Sequence, residues 1–203
     1  MRIGPKYKIA RRLGVSIFDK TQTQKFVLSQ SRKEKGGRAF SRPKSDFGIQ
    51  MLEKQKARFM YGLSERQFSK YAKFALAKKR TGAVSELFYS LELRADNVVY
   101  RAGFAPSRLA ARQLVSHGHI LVNGKRITVP SYRLSVNDTV SVREGSLLNK
   151  YFSIAKEKVK EKKPPTWLSL LADKLEVKVE SLPVYDPRDL MFDINLILEF
   201  YSR

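Results

Sequence analysis

The fold is decided by residues 93–145, which contain the runs LRADNVVYR (93–101), SRLAARQLVSHGHI (107–120) and LVNGKRI (121–127). This pattern predicts two short helices. Asp96 is expected to cap the first, over 97–102, and Ser107 to cap the second, over 108–117. Gly103 and Gly118 are placed to end them, since glycine tolerates the left-handed conformation of a helix stop.

A compact hairpin is predicted directly after the second helix. The Asn123-Gly124 dipeptide lies between two short predicted strands within 120–128, and both central positions of such a tight turn need a positive φ. A further strand over 139–142 follows a turn at Asn137-Asp138. The module is therefore expected to run helix, helix, strand, strand, strand.

Two arginines of the second helix, Arg108 and Arg112, are four residues apart and so share one face. Guanidinium groups bind phosphate through paired hydrogen bonds, and a helix beside a hairpin suits the backbone of folded RNA. An ordinary solvated basic helix face is the alternative interpretation of this spacing. The same edge is expected to carry further donors: Arg101, Gln113, His117, Asn123, Lys125 and Arg126.

The composition indicates a polyanionic partner. Of 203 residues, 40 are Lys or Arg and 19 are Asp or Glu, a net charge of +21. A nucleic acid would relieve the self-repulsion, because neutralising phosphates releases condensed counterions. A membrane is the rival partner, but no run approaches ~18 apolar residues and the N-terminus lacks a signal-peptide core. With no Cys and only two His, disulfides and thiolate zinc sites are excluded.

The basic charge is concentrated before the two-helix module. Residues 1–95 hold 23 basic and 7 acidic residues, a net of +16. Residues 1–45 are predicted to be an irregular basic arm that folds against RNA, with a solvated tail as the alternative.

Three helices are predicted between this arm and the module. They cover 46–62 with Asp46 as cap, 64 to about 80 with a capping box at Ser64, and 83–93. The second of these helices is expected to present a basic face formed by Arg66, Lys70 and Lys73.

The C-terminal quarter has a different character. Residues 147–203 carry 10 basic and 9 acidic residues, a net of only +1. A charged helix is predicted over 147–163, and strands over 166–171, 175–179 and 194–201. Because the ending is strongly apolar, we expect it to dock on another part of the chain.

The module closely resembles the RNA-binding domain named after the S-four (S4) family of ribosomal proteins. The flanks resemble the bacterial form of that family over nearly the whole chain, in order. The matching runs are Gly4-Pro5-Lys6, Asp46-Phe47-Gly48, Glu53-Lys54-Gln55-Lys56, Tyr61-Gly62, Glu65-Arg66-Gln67-Phe68, Lys163-Pro164-Pro165-Thr166-Trp167-Leu168, Arg188-Asp189-Leu190 and Ile197-Leu198-Glu199-Phe200-Tyr201-Ser202-Arg203. Unlike many relatives, the chain lacks the four arm cysteines that hold a zinc.

The resemblance implies an α+β fold. A helical first domain would receive an inserted αL-type (helix-helix-hairpin) RNA-binding domain, and the C-terminal segment would pack back on the first domain. The implied divisions are a basic arm over 1–45, a helical domain over 46–93, the RNA-binding domain over 94–146 and the docking segment over 147–203.

The resemblance further implies a structural protein of the small ribosomal subunit, with no cofactor. Such proteins bind the 5′ domain of 16S-type ribosomal RNA, nucleate assembly and influence decoding accuracy. Their arm lies near the messenger entry path, beside ribosomal proteins three and five. The carried-over RNA contacts include Arg94, Ser107, Lys54 and Lys56 besides the residues named above, with Arg11, Arg12, Arg38, Arg42 and Lys44 as arm candidates.

An RNA-modifying enzyme of the pseudouridine synthase type is the main alternative, because such enzymes carry the same small module. It would need a catalytic domain with an aspartate in a base-binding pocket. Residues 147–203 are too short for one, and residues 1–93 hold few acids. Another ribosome-associated RNA binder would lack the flanking matches. The expected location is the cytoplasmic ribosome, or the plastid stroma if the chain is organelle-encoded.

Overall fold

The structure, a computed structural model, describes residues 3–35, 45–78, 82–161 and 163–203. The chain divides into two compact units. The helical unit comprises Met1–Leu87 and Asp186–Arg203, and the sheet unit comprises Phe88–Tyr185. Helices and one antiparallel sheet together confirm the predicted α+β class.

In the described residues of the helical unit the structure is helical, with α-helices and the short 3-10 helices Asp19–Thr21 and Pro187–Asp189. One further helix, α5, Ala83–Glu92, contains the division between the two units. The helices that lie wholly in the unit are α1, Lys6–Leu13, α2, Gln24–Lys35, α3, Asp46–Met60, α4, Glu65–Ala77, and α10, Ile194–Ser202.

The N-terminal segment is not irregular where the structure describes it, so that prediction was wrong. It forms α1 and α2, and Ala10, Phe18 and Phe26 form a small apolar cluster. The Phe18 ring also meets Phe59 of α3 edge-on, with centroids 6.4 Å apart. Gly14, with φ 71°, ends α1 in the left-handed conformation. These aromatic contacts give the basic segment a core of its own.

Two serines cap the central helices. The Ser64 side chain accepts from the Gln67 amide, as the sequence predicts. For α3, however, the cap is Ser45, which accepts from the Gly48 amide, and Asp46 is instead the first helical residue. The acid there still suits the positive end of the helix dipole.

The C-terminal stretch is a helix and not the predicted strand over 194–201. Ile194, Ile197 and Leu198 are buried on one face of α10, with spacing typical of a helix. The Asp193 side chain caps this helix by accepting from the Asn195 amide at 2.8 Å. The apolar face of α10 packs on α3 and α4, so the ending docks on the first helices as expected.

The sheet unit surrounds a five-stranded antiparallel sheet in the order β2-β1-β3-β5-β4. Its strands are β1, Ile120–Val122, β2, Lys125–Ile127, β3, Thr139–Val142, β4, Leu168–Leu171, and β5, Glu176–Val179. Its helices are α6, Ala95–Arg101, α7, Arg108–Ser116, α8, Glu144–Leu147, and α9, Lys150–Glu161, and a 3-10 helix covers Ala172–Lys174.

The predicted hairpin is confirmed. Val122 pairs with Lys125 across the turn, and Asn123 and Gly124 have φ values of 49° and 75°. The Asn123 amide group donates to Asp138 at 2.8 Å and accepts from the Thr139 amide at 2.9 Å. The hairpin tip is therefore tied to the turn before β3.

Residues 147–185 belong to the sheet unit, which differs from the predicted division at 146/147. Val140 of β3 pairs with Val177 of β5, and β5 pairs with β4, so the second strand pair extends the sheet of the module. The predicted strands over 166–171 and 175–179 are thus present. Only residues 186–203 of the C-terminal quarter return to the helical unit.

One apolar core fills the sheet unit. It joins α6 and α7 through Val98, Ala111 and Val115 to the inner faces of β1, β3 and β5. Within the residues that the structure describes, no helix is long and apolar enough to cross a membrane.

Burial of α10 predicts an asymmetry between two Ile-to-Ala changes in the helical unit. Ile197 is 0% exposed and Ile49 is 40% exposed. We expect Ile197→Ala to lower the free energy of unfolding by about 2–4 kcal/mol, because it leaves a cavity. Ile49→Ala is the matched control and should change it by less than ~1 kcal/mol. Urea unfolding of both variants measures this, and equal losses would contradict the packing of α10.

Candidate nucleic-acid interface

The first feature of the site is a buried ion pair at the start of α6. Arg94 donates from Nε to Asp96 Oδ1 at 3.0 Å and from Nη2 to Asp96 Oδ2 at 2.8 Å. Both side chains are almost completely buried. Asp96 does not cap α6, contrary to the prediction; Arg94 precedes the helix, which has no side-chain cap. The carboxylate instead compensates a buried guanidinium, which a buried charge requires.

The same carboxylate also holds an arginine of α7. Arg112 approaches Asp96 Oδ2 with Nε at 2.9 Å and Nη2 at 2.8 Å. Its side chain remains 22% exposed. Asp96 therefore links an interior guanidinium to one that reaches the surface.

A second buried carboxylate, Glu92, organises the neighbouring arginines. Arg101 donates to it from Nε at 3.0 Å and from Nη2 at 2.8 Å, and the Arg101 side chain is 29% exposed. Asn97 donates to Glu92 Oε2 at 2.9 Å, and its own Oδ1 accepts from Arg108 Nε at 2.8 Å. The guanidinium of Arg108 also lies over the Tyr100 ring, 4.5 Å from its centroid.

These residues form what we call the anchored arginine cluster: Arg94, Arg101, Arg108 and Arg112 with Glu92, Asp96 and Asn97. Four positive and two negative charges leave a local surplus of +2. Held guanidinium groups lose little side-chain freedom when they meet an anion, and their planar forks suit phosphate. The cluster can therefore bind a phosphate backbone from a fixed geometry.

The hairpin edge adds exposed donors. Gln113, His117, Lys125 and Arg126 are exposed. Arg126 donates to the His117 carbonyl at 3.3 Å, and its guanidinium covers Gly118, where any Cβ would collide with it. This contact places Arg126 beside the C-terminal end of α7.

Three predicted contacts in the sheet unit have internal roles. Arg94 is buried, and its guanidinium pairs with Asp96 in the interior of the unit. Ser107 accepts from the Ala110 amide and caps α7, as predicted. The Asn123 amide group is engaged within the hairpin. The hydrogen bonds described for these three side chains are made to other groups of the same unit.

In the helical unit, Arg66, Lys70 and Lys73 are exposed along α4, with the spacing of a single helical face. The buried residues Phe68, Ala72 and Ala75 occupy the opposite side. The predicted basic face of this helix is therefore available to a partner.

Two predicted lysines of α3 are instead occupied within the unit. Lys54 is buried, donates to Glu65 at 2.9 Å and lies over the Phe200 ring, 4.3 Å from its centroid. Lys56 is largely buried and donates to Glu53 at 2.6 Å. Both support the packing of α3, which the one-dimensional spacing did not reveal.

The surroundings of Glu65, the carboxylate that accepts from Lys54, change its pKa. Partial burial of Glu65 opposes its charged form, but hydrogen bonds from Lys54 and from the Tyr201 hydroxyl, at 2.7 Å, outweigh this and lower its pKa. Burial, together with the hydrogen bond to Glu65, raises the pKa of Tyr201. The group thus ties α10 to α3 and α4.

Of the arm candidates, Arg11 and Arg12 are exposed in the last turn of α1. Arg38, Arg42 and Lys44 lie outside the described residues. Among the described residues, no group of three or more His, Asp or Glu side chains could hold a metal ion.

Sequence reasoning missed the two anchoring residues Glu92 and Asn97, and it gave Asp96 the wrong role. A signal was present: Glu92 and Asp96 are four apart and interrupt a run of apolar and basic residues. Buried acids in such a run need cationic partners. Exposed Arg133 and Arg143 are further cations of this unit that were not predicted as contacts.

Two family models match the chain, and together they cover most of residues 1–140. Residues 1–91 match the ribosomal protein S4/S9 N-terminal domain, and residues 93–140 match the S4 domain. A small ribosomal subunit protein uS4 from Roseiflexus sp. (strain RS-1) is 44% identical over 203 residues, covering 98% of each chain. The uS4 protein of Halothermothrix orenii is 41% identical, with 98% of each chain covered, and that of Chloroflexus aurantiacus (strain J-10-fl) is 42% identical, with 99% and 98% covered.

The chain belongs to the uS4 family of small ribosomal subunit proteins. The resemblance seen in the sequence is thereby confirmed. In this uS4 chain the S4 domain match contains the whole anchored arginine cluster except Glu92, which precedes it by one residue. The match ends inside β3, whereas the sheet continues through β4 and β5.

The Glu65 contacts predict an acid-sensitive helical unit in this uS4 chain. A carboxylate whose pKa is lowered on folding stabilises the protein above its unfolded pKa, and this stabilisation is lost as the pH falls through the folded pKa. We expect the free energy of unfolding to fall as the pH drops below the ordinary glutamate value of 4.5. Glu65→Gln should flatten this dependence.

Urea unfolding between about pH 3 and 7 measures the effect, with the circular dichroism of the backbone as the signal. Glu180→Gln, at an exposed carboxylate of the sheet unit, is the control and should keep the wild-type pH profile. An identical profile for Glu65→Gln and wild type would show that this carboxylate does not stabilise the fold.

Proposed function

We propose that this uS4 chain is a structural constituent of the small ribosomal subunit that binds 16S-type ribosomal RNA. The relatives that align along nearly its whole length are named small ribosomal subunit proteins, which supports the proposal. The anchored arginine cluster is the observation that carries it, because this cluster presents partly exposed guanidinium groups whose orientation is already fixed.

The chemistry of the cluster favours RNA backbone over a small anion. The cluster and the hairpin edge, with Gln113, Lys125 and Arg126, together offer several exposed donors on one unit. Folded RNA is recognised mainly through its shape, its phosphates and its 2′-hydroxyls. A net charge of +21 adds a long-range attraction and makes binding salt-dependent.

The helical unit is proposed to make a second contact. Its exposed cations on α4, together with Arg11 and Arg12 of α1, would neutralise further phosphates. By its family resemblance, the chain binds the 5′ domain early and nucleates assembly of the subunit body. The same resemblance supports a place near the messenger entry path, beside ribosomal proteins three and five, and an influence on accuracy.

The proposal makes the chain a binding protein of the cytoplasmic ribosome without catalytic activity or a resident cofactor. The pseudouridine synthase alternative is disfavoured because ribosomal relatives cover 98% of the chain, helical unit included. In an enzyme, the residues outside the S4 domain would instead match a catalytic domain.

The testing experiment is a titration against the isolated 5′ domain of 16S-type ribosomal RNA across a salt series, with an unrelated structured RNA as competitor. Arg108→Ala combined with Arg112→Ala should weaken binding roughly a hundredfold or more, since charge-assisted hydrogen bonds contribute about 1.5–3 kcal/mol each and two are lost. The salt slope should flatten by roughly one unit per lost phosphate contact.

Lys174→Ala combined with Lys178→Ala is the matched control, because it removes the same charge from exposed positions of the same unit. Its affinity should stay close to wild type. Equal losses for both pairs would mean that net charge alone drives binding. Wild-type binding that the competitor abolishes would contradict the proposed ribosomal RNA specificity.

A further inference from the structure

We propose that the buried carboxylates Glu92 and Asp96 are positioning residues for RNA binding, which they strengthen although they carry the same charge as the ligand. This inference rests on the proposed function. It assigns to two acids and one amide, Asn97, the task of holding the surface guanidinium groups in the geometry that meets phosphate.

Asp96 is fixed before any ligand arrives. Its own amide donates to the Pro130 carbonyl at 3.2 Å, and the Ala95 amide donates to the Tyr132 carbonyl at 2.9 Å. The start of α6 is thereby attached to the segment between β2 and β3. From this rigid position the carboxylate contacts Arg94 inside the unit and Arg112 towards the surface.

Glu92 acts on two partly buried arginines, on Arg101 directly and on Arg108 through the Asn97 amide. Its carboxylate receives both donors of the Arg101 fork and the Asn97 side chain, whose Nδ2 also donates to the Glu92 carbonyl at 3.0 Å. These bonds fix the Asn97 amide with its oxygen towards Arg108 Nε. The Arg108 guanidinium also contacts the Tyr100 ring, 4.5 Å from its centroid.

Positioning of the arginines and net charge predict opposite effects of the buried acids on RNA affinity. Long arginine side chains on a surface lose considerable rotamer entropy when they are immobilised by a ligand. In the cluster this ordering is complete in the folded protein. Simple electrostatics predicts that neutralising a buried acid strengthens RNA binding, because the net charge rises. Positioning predicts the opposite sign, which makes the two explanations separable.

The experiment compares Glu92→Gln and Asp96→Asn with Glu180→Gln, an exposed carboxylate of the same unit whose replacement adds the same charge. The probe is the isolated 5′ domain of 16S-type ribosomal RNA in a salt series, with an unrelated structured RNA as competitor. We expect Glu92→Gln to bind roughly tenfold more weakly, the loss of about one charge-assisted contact, with a flatter salt slope. Glu180→Gln should bind as tightly as wild type or more tightly.

Glu92 could also affect binding only by stabilising the fold. Replacing Glu92 in a variant that already lacks Arg101 and Arg108 distinguishes this structural role from positioning. All titrations are made well below each variant's midpoint of thermal unfolding. With Arg101→Ala and Arg108→Ala already present, Glu92→Gln should have no further effect, since no surface guanidinium remains for it to position. A loss of the same size in that background would overturn the inference.

The remaining outcomes are equally decisive. If Asp96→Asn does not fold, Glu92→Gln carries the test, because it leaves the buried Arg94–Asp96 pair intact. Binding by Glu92→Gln that equals or exceeds wild type would overturn the positioning role while leaving the proposed function standing. A wild-type protein without preference for the 5′ domain over the competitor would instead contradict the proposed function itself.

Discussion

Two carboxylates buried among arginines are the interaction on which the sheet unit depends. A buried anion without a cationic partner costs several kcal/mol, so Glu92 and Asp96 can lie in the interior only with guanidinium groups against them. That requirement fixes Arg101 and Arg112 at the surface end of each pair. It also ties α6 to α7, whose apolar sides meet in the core of the unit. The ion pairs that form when the unit folds are therefore the same ones that orient Arg101 and Arg112.

The helical unit follows the same physical logic with the signs exchanged. There a buried cation, Lys54, is held by Glu65 and by the face of the Phe200 ring. Because Tyr201 also donates to Glu65, the C-terminal helix is connected to the charge that α3 buries. Lys54, which the sequence predicts to contact RNA, thus stabilises the packing of the helical unit instead.

The overall charge and the individual contacts have different consequences. The +21 net charge attracts any polyanion and sets the salt dependence of binding. Selectivity needs groups in defined positions, and among the described residues we propose the anchored arginine cluster for this role. The exposed lysines of α4, Lys70 and Lys73, belong to the same positive surplus. The proposed positioning role of Glu92 and Asp96 would make internal acids important to this basic protein.

The sequence by itself determined what neighbours within a turn or two decide. The Ser64 and Ser107 caps, the Asn123-Gly124 hairpin and the exposed face of α4 all depend on local spacing, and they are found where the sequence predicts them. The spacing of Ile194, Ile197 and Leu198 is also typical of a helix, although a strand was predicted over 194–201.

Tertiary structure alone decided the pairing of β5 with β3 and the burial of Arg94 and Lys54. It also brought Arg112 to Asp96, sixteen residues away. The physical reason is that burial and ion pairing depend on which distant segments pack together, whereas charge and periodicity along the chain are the same whether a residue faces solvent or the core.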